Sequence, residues 1–220
     1  MVEFLVDTEY PVSIPSEDTQ LDGLLHIPEG AKGIVLFAHG SGSSRFSPRN
    51  QFIARELQKV KIATLLFDLL TPDEDEVDTQ TSQYRFDIGF LAERLISVTR
   101  WIVKNPALKK LPLGYFGAST GGGAALVAAA QAADLVRAVV SRGGRPDLAG
   151  ESLRYVEAPT LLIVGGLDET VIQLNQQAFN AMHCEKKLEI VPGATHLFEE
   201  AGKLEAVSHL ANAWFGKYLR

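Results

Sequence analysis

The 220-residue sequence has one cysteine, Cys184, so an internal disulfide framework is excluded and a reducing compartment suits the chain. It has no apolar run near the ~18 residues that a membrane-spanning helix needs. It also has no excess of positive charge. Its 21 Lys and Arg against 27 Asp and Glu give a net charge of −6, which argues against nucleic acid and anionic membrane as partners. The N-terminal stretch MVEFLVDTEYPVSIPSED carries acids where a secretory leader carries basic residues, and no long apolar segment follows. A cytoplasmic location is therefore expected. There is neither an internal repeat nor a linker rich in Pro, Gly or Ser, so residues 1–220 read as one domain, long enough to bury a sizeable core.

What the chain does contain is an alternation of two patterns. Short aliphatic runs predict strands over 9–14, 20–27, 33–38, 62–67, 111–116, 136–141, 159–164 and 187–191. From residue 33 onward these runs are nearly continuous, as in parallel strands covered on both faces. The two earlier runs alternate more and suit an antiparallel edge. Between them, helical spacing predicts helices over 48–60, 83–104, 122–132, 171–182 and 203–219. The acidic stretch 72–78 (PDEDEVD) reads as a solvated loop; its carboxylates are sequential and lack a neighbouring histidine, so they make a poor metal site. Together these elements imply an α/β architecture, a mostly parallel sheet with helices on both faces. Its chemistry belongs at the carboxyl ends of the strands.

One such end reads GYFGASTGGGAALVAAA, residues 114–130. A dinucleotide loop fails here because Ser119 stands where the second glycine is required. A phosphate-cradling loop fails because Ala124 and Ala125, not Lys and Ser or Thr, follow the last glycine. The pattern G-x-S-x-G does fit, as Gly117, Ala118, Ser119, Thr120 and Gly121, between a strand and a helix. A tight turn of this kind needs small neighbours and pushes the serine hydroxyl out of the sheet toward a helix N-terminus that favours negative charge. The plain alternative is a serine that caps its helix.

A serine nucleophile needs a base and a carboxylate to orient that base. His196, in VPGATHLFEE after the strand at 187–191, is the candidate base; His183 and His209 fall within or at the end of helices. Asp168, in GGLDETV after the strand at 159–164, is the preferred acid, with Glu169 and Asp147 as rivals. The oxyanion is expected to bind the backbone N–H groups of Thr120 and of Ser41 in FAHGSGSSR. His39 in that loop reads as structural.

With these segments in order, the chain resembles the α/β-hydrolase family, and within it the small dienelactone-hydrolase-like branch. The matching stretches are residues 37–45, 114–123, 161–171 and 193–198, and the resemblance runs over about 20–218. It implies a three-layer fold with an eight-stranded sheet whose second strand is antiparallel, and no cap domain. It also implies hydrolysis of a small carboxylic ester or lactone without metal or organic cofactor. In one respect the chain departs from the branch: Ser119 stands where the dienelactone hydrolases that name it carry cysteine.

Arg45, Arg142 and Arg145, with Arg49, fall in strand-end loops. They either hold an acidic group of the substrate or pair with Asp147, Glu151 or the acids of 72–78. Phe46, Phe198 and Trp101 are candidates for an acyl pocket, Trp101 being better suited to the core. Two other functions use the same residues: a non-catalytic binding protein on this fold, and acyl transfer to an alcohol or amine.

Overall fold

The computed structural model describes residues 4–220, so the first residues of the stretch weighed above as a leader lie outside it. β1 (Glu9–Ser16) and β2 (Thr19–His26) form a hairpin. There follow β3 (Gly33–Ala38), α1 (Pro48–Lys59), β4 (Ile62–Phe67), α2 (Pro72–Thr81) and α3 (Ile88–Lys104). Next come β5 (Leu113–Ala118), α4 (Thr120–Gln131), β6 (Val136–Arg142) and a 3₁₀ segment, Pro146–Tyr155, broken at Gly150. β7 (Thr160–Gly165), α5 (Glu169–Ala181), β8 (Lys186–Val191) and α6 (Lys203–Tyr218) complete the chain.

The strands form one eight-stranded sheet in the order β1-β2-β4-β3-β5-β6-β7-β8. β2 is antiparallel to both its neighbours, and every later pairing is parallel. This is the α/β-hydrolase sheet that the resemblance implied. Alternating side chains of each central strand feed opposite layers. Ile34, Leu36 and Ala38 of β3 join the core beneath α3 and α4, whereas Val35 and Phe37 join the core beneath α1 and α6. Between β6 and β7 stands only the short 3₁₀ segment, so among the described residues no cap domain is inserted there. No helix among the described residues is long and apolar enough to cross a membrane.

Two expectations need correction. Residues 72–78 are not a solvated loop but most of α2. Thr71 caps this helix through its side chain, and Glu74 reciprocates to the Thr71 backbone, a capping box with Pro72 in the first turn. Three of the five acids that suggested a loop, Asp73, Glu74 and Asp75, sit in that first turn, where the helix dipole favours them. α3 starts at Ile88 rather than near 83, because the Tyr84 and Arg85 N–H groups donate to Asp78 Oδ1 at 2.8 and 2.9 Å and hold a turn there. Asp87 then caps the helix by accepting from Phe90 N.

Adjacent parallel strands β3, β5, β6, β7 and β8 end at one edge of the sheet. The segments after them carry Ser41, Ser119, Gly143, Asp168 and His196.

Candidate active site

Ser119 lies between β5 and α4 with φ 51° and ψ −123°, a conformation that costs a non-glycine residue about 1–3 kcal/mol. Its neighbours explain how the turn is tolerated. A β-carbon on Gly117 would lie 2.5 Å from the Gly121 carbonyl oxygen, and one on Gly121 would collide with the Ala38 carbonyl oxygen. Backbone bonds pin the turn from outside. Ser119 N donates to Arg142 O at 3.3 Å, and Arg145 N donates to Ser119 O at 3.0 Å. The Ser119 side chain makes no capping hydrogen bond to α4, which removes the plain alternative for this serine.

Asp168 and His196 come together. His196 Nδ1 lies 2.6 Å from Asp168 Oδ2, with the Asp168 side chain 16% exposed. Their loops are stitched by Gly166 N to Val191 O at 2.8 Å and Leu167 N to Ala194 O at 2.9 Å. Of the rival acids, Asp147 is held by the Arg145 guanidinium through bonds of 2.9 and 2.8 Å, and Glu169 opens α5 as an exposed residue. His183 and His209 are exposed, His209 within α6. A residue that the sequence reading passed over seats the imidazole: a β-carbon on Gly143, at φ 50°, would lie 3.1 Å from His196 O and 3.5 Å from its ring. The glycine pair 143–144 directly after a strand was the available signal.

Ser119 and His196 line one cavity of about 240 Å³ together with Gly40, Ser41, Arg49 and Arg142. Thr120 opens α4, so its N–H has no partner within the helix. Ser41 N is not free in the same way. It donates to Thr120 Oγ1 at 3.0 Å, and the two side-chain oxygens are also 3.0 Å apart. An oxyanion at Ser119 must share that N–H with the Thr120 hydroxyl or displace it. His39 fixes the loop from below: its Nδ1 donates to Gly40 O, and its Nε2 accepts from Leu69 N, both at 2.9 Å. Burial holds its pKa below the ordinary histidine value, and both ring nitrogens are engaged, so it cannot serve as a base.

The arginines separate. Arg45 is bound to Asp68 and lies 3.3 Å from Asp22, and Arg145 is committed to Asp147; neither lines the cavity. Arg142 does line it and is buried. Burial pushes its pKa down to about 10, with the Arg49 charge adding to the effect. Phe198 is fully buried in the core beneath α6 rather than in the cavity, and Trp101 packs against the other core. Cys184 precedes β8, at the opposite end of that strand from His196; burial raises its thiol pKa, so it is no substitute for Ser119.

Known proteins share this architecture. A dienelactone hydrolase from Anabaena variabilis is 58% identical, with 97% of this chain and 99% of that one covered at a TM-score of 0.95. A lidless α/β serine hydrolase from Xanthomonas campestris has the same fold at 20% identity and a TM-score of 0.77, covering 99% and 98% of the two chains. Proteins from two strains of Mycobacterium tuberculosis, provisionally named phosphoribosyl transferases, are 56% identical over 208 residues. That match takes in 94% of this chain but 46% of theirs, so the chain spans about half the length of these curated relatives. The model of the dienelactone hydrolase family matches residues 21–215, and the chain belongs to that family of α/β-hydrolases.

Proposed function

We propose that the protein is a serine hydrolase that cleaves a carboxylic ester or lactone of a small substrate through an acyl-enzyme. Ser119 is the nucleophile, His196 the general base and Asp168 the carboxylate that orients it. The observation that carries this reading is the 2.6 Å Asp168–His196 hydrogen bond, with His196 lining the same cavity as a serine held on a strained strand-to-helix turn.

The chemistry follows from the donor arrangement. Asp168 accepts from His196 Nδ1–H, which leaves Nε2 unprotonated to take the Ser119 proton as Oγ attacks the substrate carbonyl carbon. The negative charge that moves to the carbonyl oxygen is stabilised by the N–H groups of Thr120 and Ser41, near the positive end of α4. The imidazolium gives its proton to the leaving alkoxide, whose bond to carbon breaks. Water repeats the sequence on the acyl-enzyme and frees the acid. Every step uses only these residues and water.

The transferase activity in the name of the mycobacterial proteins is read here as belonging to the part of them that this chain does not match. The test is labelling with an alkyl fluorophosphonate and turnover of short p-nitrophenyl esters by the parent and Ser119→Ala. The parent should label and turn over, and the variant should do neither. Labelling that persists in Ser119→Ala would overturn the nucleophile. Absence of turnover by the intact parent would leave a binding protein, and an ester product formed with an added alcohol would show acyl transfer.

A further inference from the structure

The turn Arg142–Arg145, which leads out of β6, touches both ends of the proposed proton transfer. Arg142 O accepts from Ser119 N at 3.3 Å, and Arg145 N donates to Ser119 O at 3.0 Å. Gly143 lies against the His196 ring, and its own N–H donates to Ile163 O at 2.7 Å. A shift of this turn therefore moves the nucleophile's backbone and the seat of the base together. Gly143 and Gly144 have no side chains to anchor it, so hydrogen bonds to its backbone must fix it.

The Gly144 carbonyl is held from α5. Among the described residues no backbone N–H donates to it; its partner is Asn175 Nδ2 at 3.0 Å. Asn175 is fully buried, in the stripe Val171, Asn175 and Ala178 that α5 turns inward. An apolar side chain is the ordinary occupant of such a position. The direction of the amide is settled by chemistry, because only its amino end can donate to two carbonyl oxygens, the second being Val171 O at 2.8 Å. Val171 O already receives the helix's own N–H from four residues on, and Asn175 Oδ1 is left buried without a partner. An amide that gains one needed bond and strands its own oxygen adds little net stability. Its distinct effect is local, a tie between α5 and the turn. Because α5 begins directly after Asp168, one helix holds the acid at its start and, about two turns further on, the support of the other two residues.

We propose that Asn175 is a positioning residue for both Ser119 and His196: by holding the Gly144 carbonyl, its amide locks the turn from which the nucleophile's backbone is hung and against which the ring of the base rests. This rests on the hydrolase reading above.

Steady-state turnover of p-nitrophenyl butyrate tests it. Asn175→Ala should lower kcat by about tenfold or more and leave KM within about twofold of the parent, because alignment uses the amide and substrate binding does not. Ala178→Gly, which loosens the same buried stripe, should lower the thermal midpoint but leave kcat within about twofold. Asn175→Asp supplies the rescue. A neutral acid can donate to Gly144 O, a carboxylate cannot, and burial favours the neutral form. At about pH 6 this variant should turn over faster than Asn175→Ala, and the advantage should shrink as the acid ionises at higher pH. A kcat that falls no further in Asn175→Ala than in Ala178→Gly overturns the proposal, as does an Asp variant no better than the Ala variant at any pH. If Asn175→Ala does not fold, Asn175→Leu, which fills the space without a donor, takes its place in each comparison. Absence of labelling and turnover in the parent would remove the hydrolase reading and this proposal with it. Parent turnover with unchanged kcat in the variant removes this proposal alone.

Discussion

His196 Nδ1 lies 2.6 Å from Asp168 Oδ2, while Asp147, the other acid within reach of the strand ends, is engaged by both terminal oxygens with Arg145. The two carboxylates thus have different work. In the proposed mechanism Asp168 keeps the imidazole in the tautomer that leaves Nε2 free, whereas Asp147 pairs with a part-exposed cation. Asp168→Asn should lower kcat by roughly 10³–10⁴-fold with far less effect on KM, because an amide cannot hold that tautomer. Asp147→Asn should change kcat by no more than about threefold, since a partly exposed ion pair contributes little. Steady-state kinetics on a p-nitrophenyl ester separates them, and a reversed order would move the acid to residue 147.

In the proposed oxyanion site Thr120 would contribute a side chain as well as its N–H. Its hydroxyl accepts from Ser41 N at 3.0 Å, so it tethers the loop after β3 to the start of α4. Preorganised donors lose much of their value when their loop is free to move. Thr120→Val keeps the shape and removes the acceptor, and kcat is expected to fall about tenfold at nearly constant KM, with Thr120→Ser restoring it. A rise in kcat for Thr120→Val would mean that the hydroxyl competes with the oxyanion instead of positioning its donor.

The fold was largely legible because buried parallel strands announce themselves as continuous apolar runs: GIVLFA and IATLLF are strands over the residues expected. The segments after the strands were legible for a related reason, since a strand end with glycines around Ser119 or beside Asp168 has few structural uses. α2 was hidden because its charge pattern looks like solvated loop, while the signal lay in Thr71 and Glu74 on either side of Pro72. The arginines could not be sorted from sequence at all. Pairing of Arg45 with Asp68 and of Arg145 with Asp147, against the isolation of Arg142, depends on side-chain directions that no spacing reveals.

The space around Gly121 should make it intolerant of any side chain. A β-carbon there would collide with the carbonyl oxygens of Ala38 and His39, backbone atoms that cannot move without shifting β3. Gly121→Ala is expected to destabilise the protein by more than ~3 kcal/mol, at the high end for a single substitution. Gly216, in the last turn of α6, has nothing within 4 Å of the added carbon. There Gly→Ala should stabilise by up to about 0.5 kcal/mol through helix propensity alone. Urea unfolding of the two variants checks the opposite signs.

His39 should make stability depend on pH above the acid range. Its folded pKa is held below the ordinary 6.5 by burial, against partial opposition from the Gly40 carbonyl and the Asp68 and Asp75 charges. As pH falls through the unfolded value, the unfolded chain takes up a proton that the folded protein refuses. Protons bound in the unfolded state then exceed those in the native state, so stability falls as pH falls, with a slope approaching ~1.4 kcal/mol per pH unit for this one group. Above about pH 7.5 both states are neutral at this position and the contribution is flat. Urea midpoints at about pH 7.5, 6.5 and 5.5 should decline for the parent and decline less for His39→Gln, whose amide oxygen can still accept from Leu69 N. Equal declines in the two proteins would place the proton uptake on another residue.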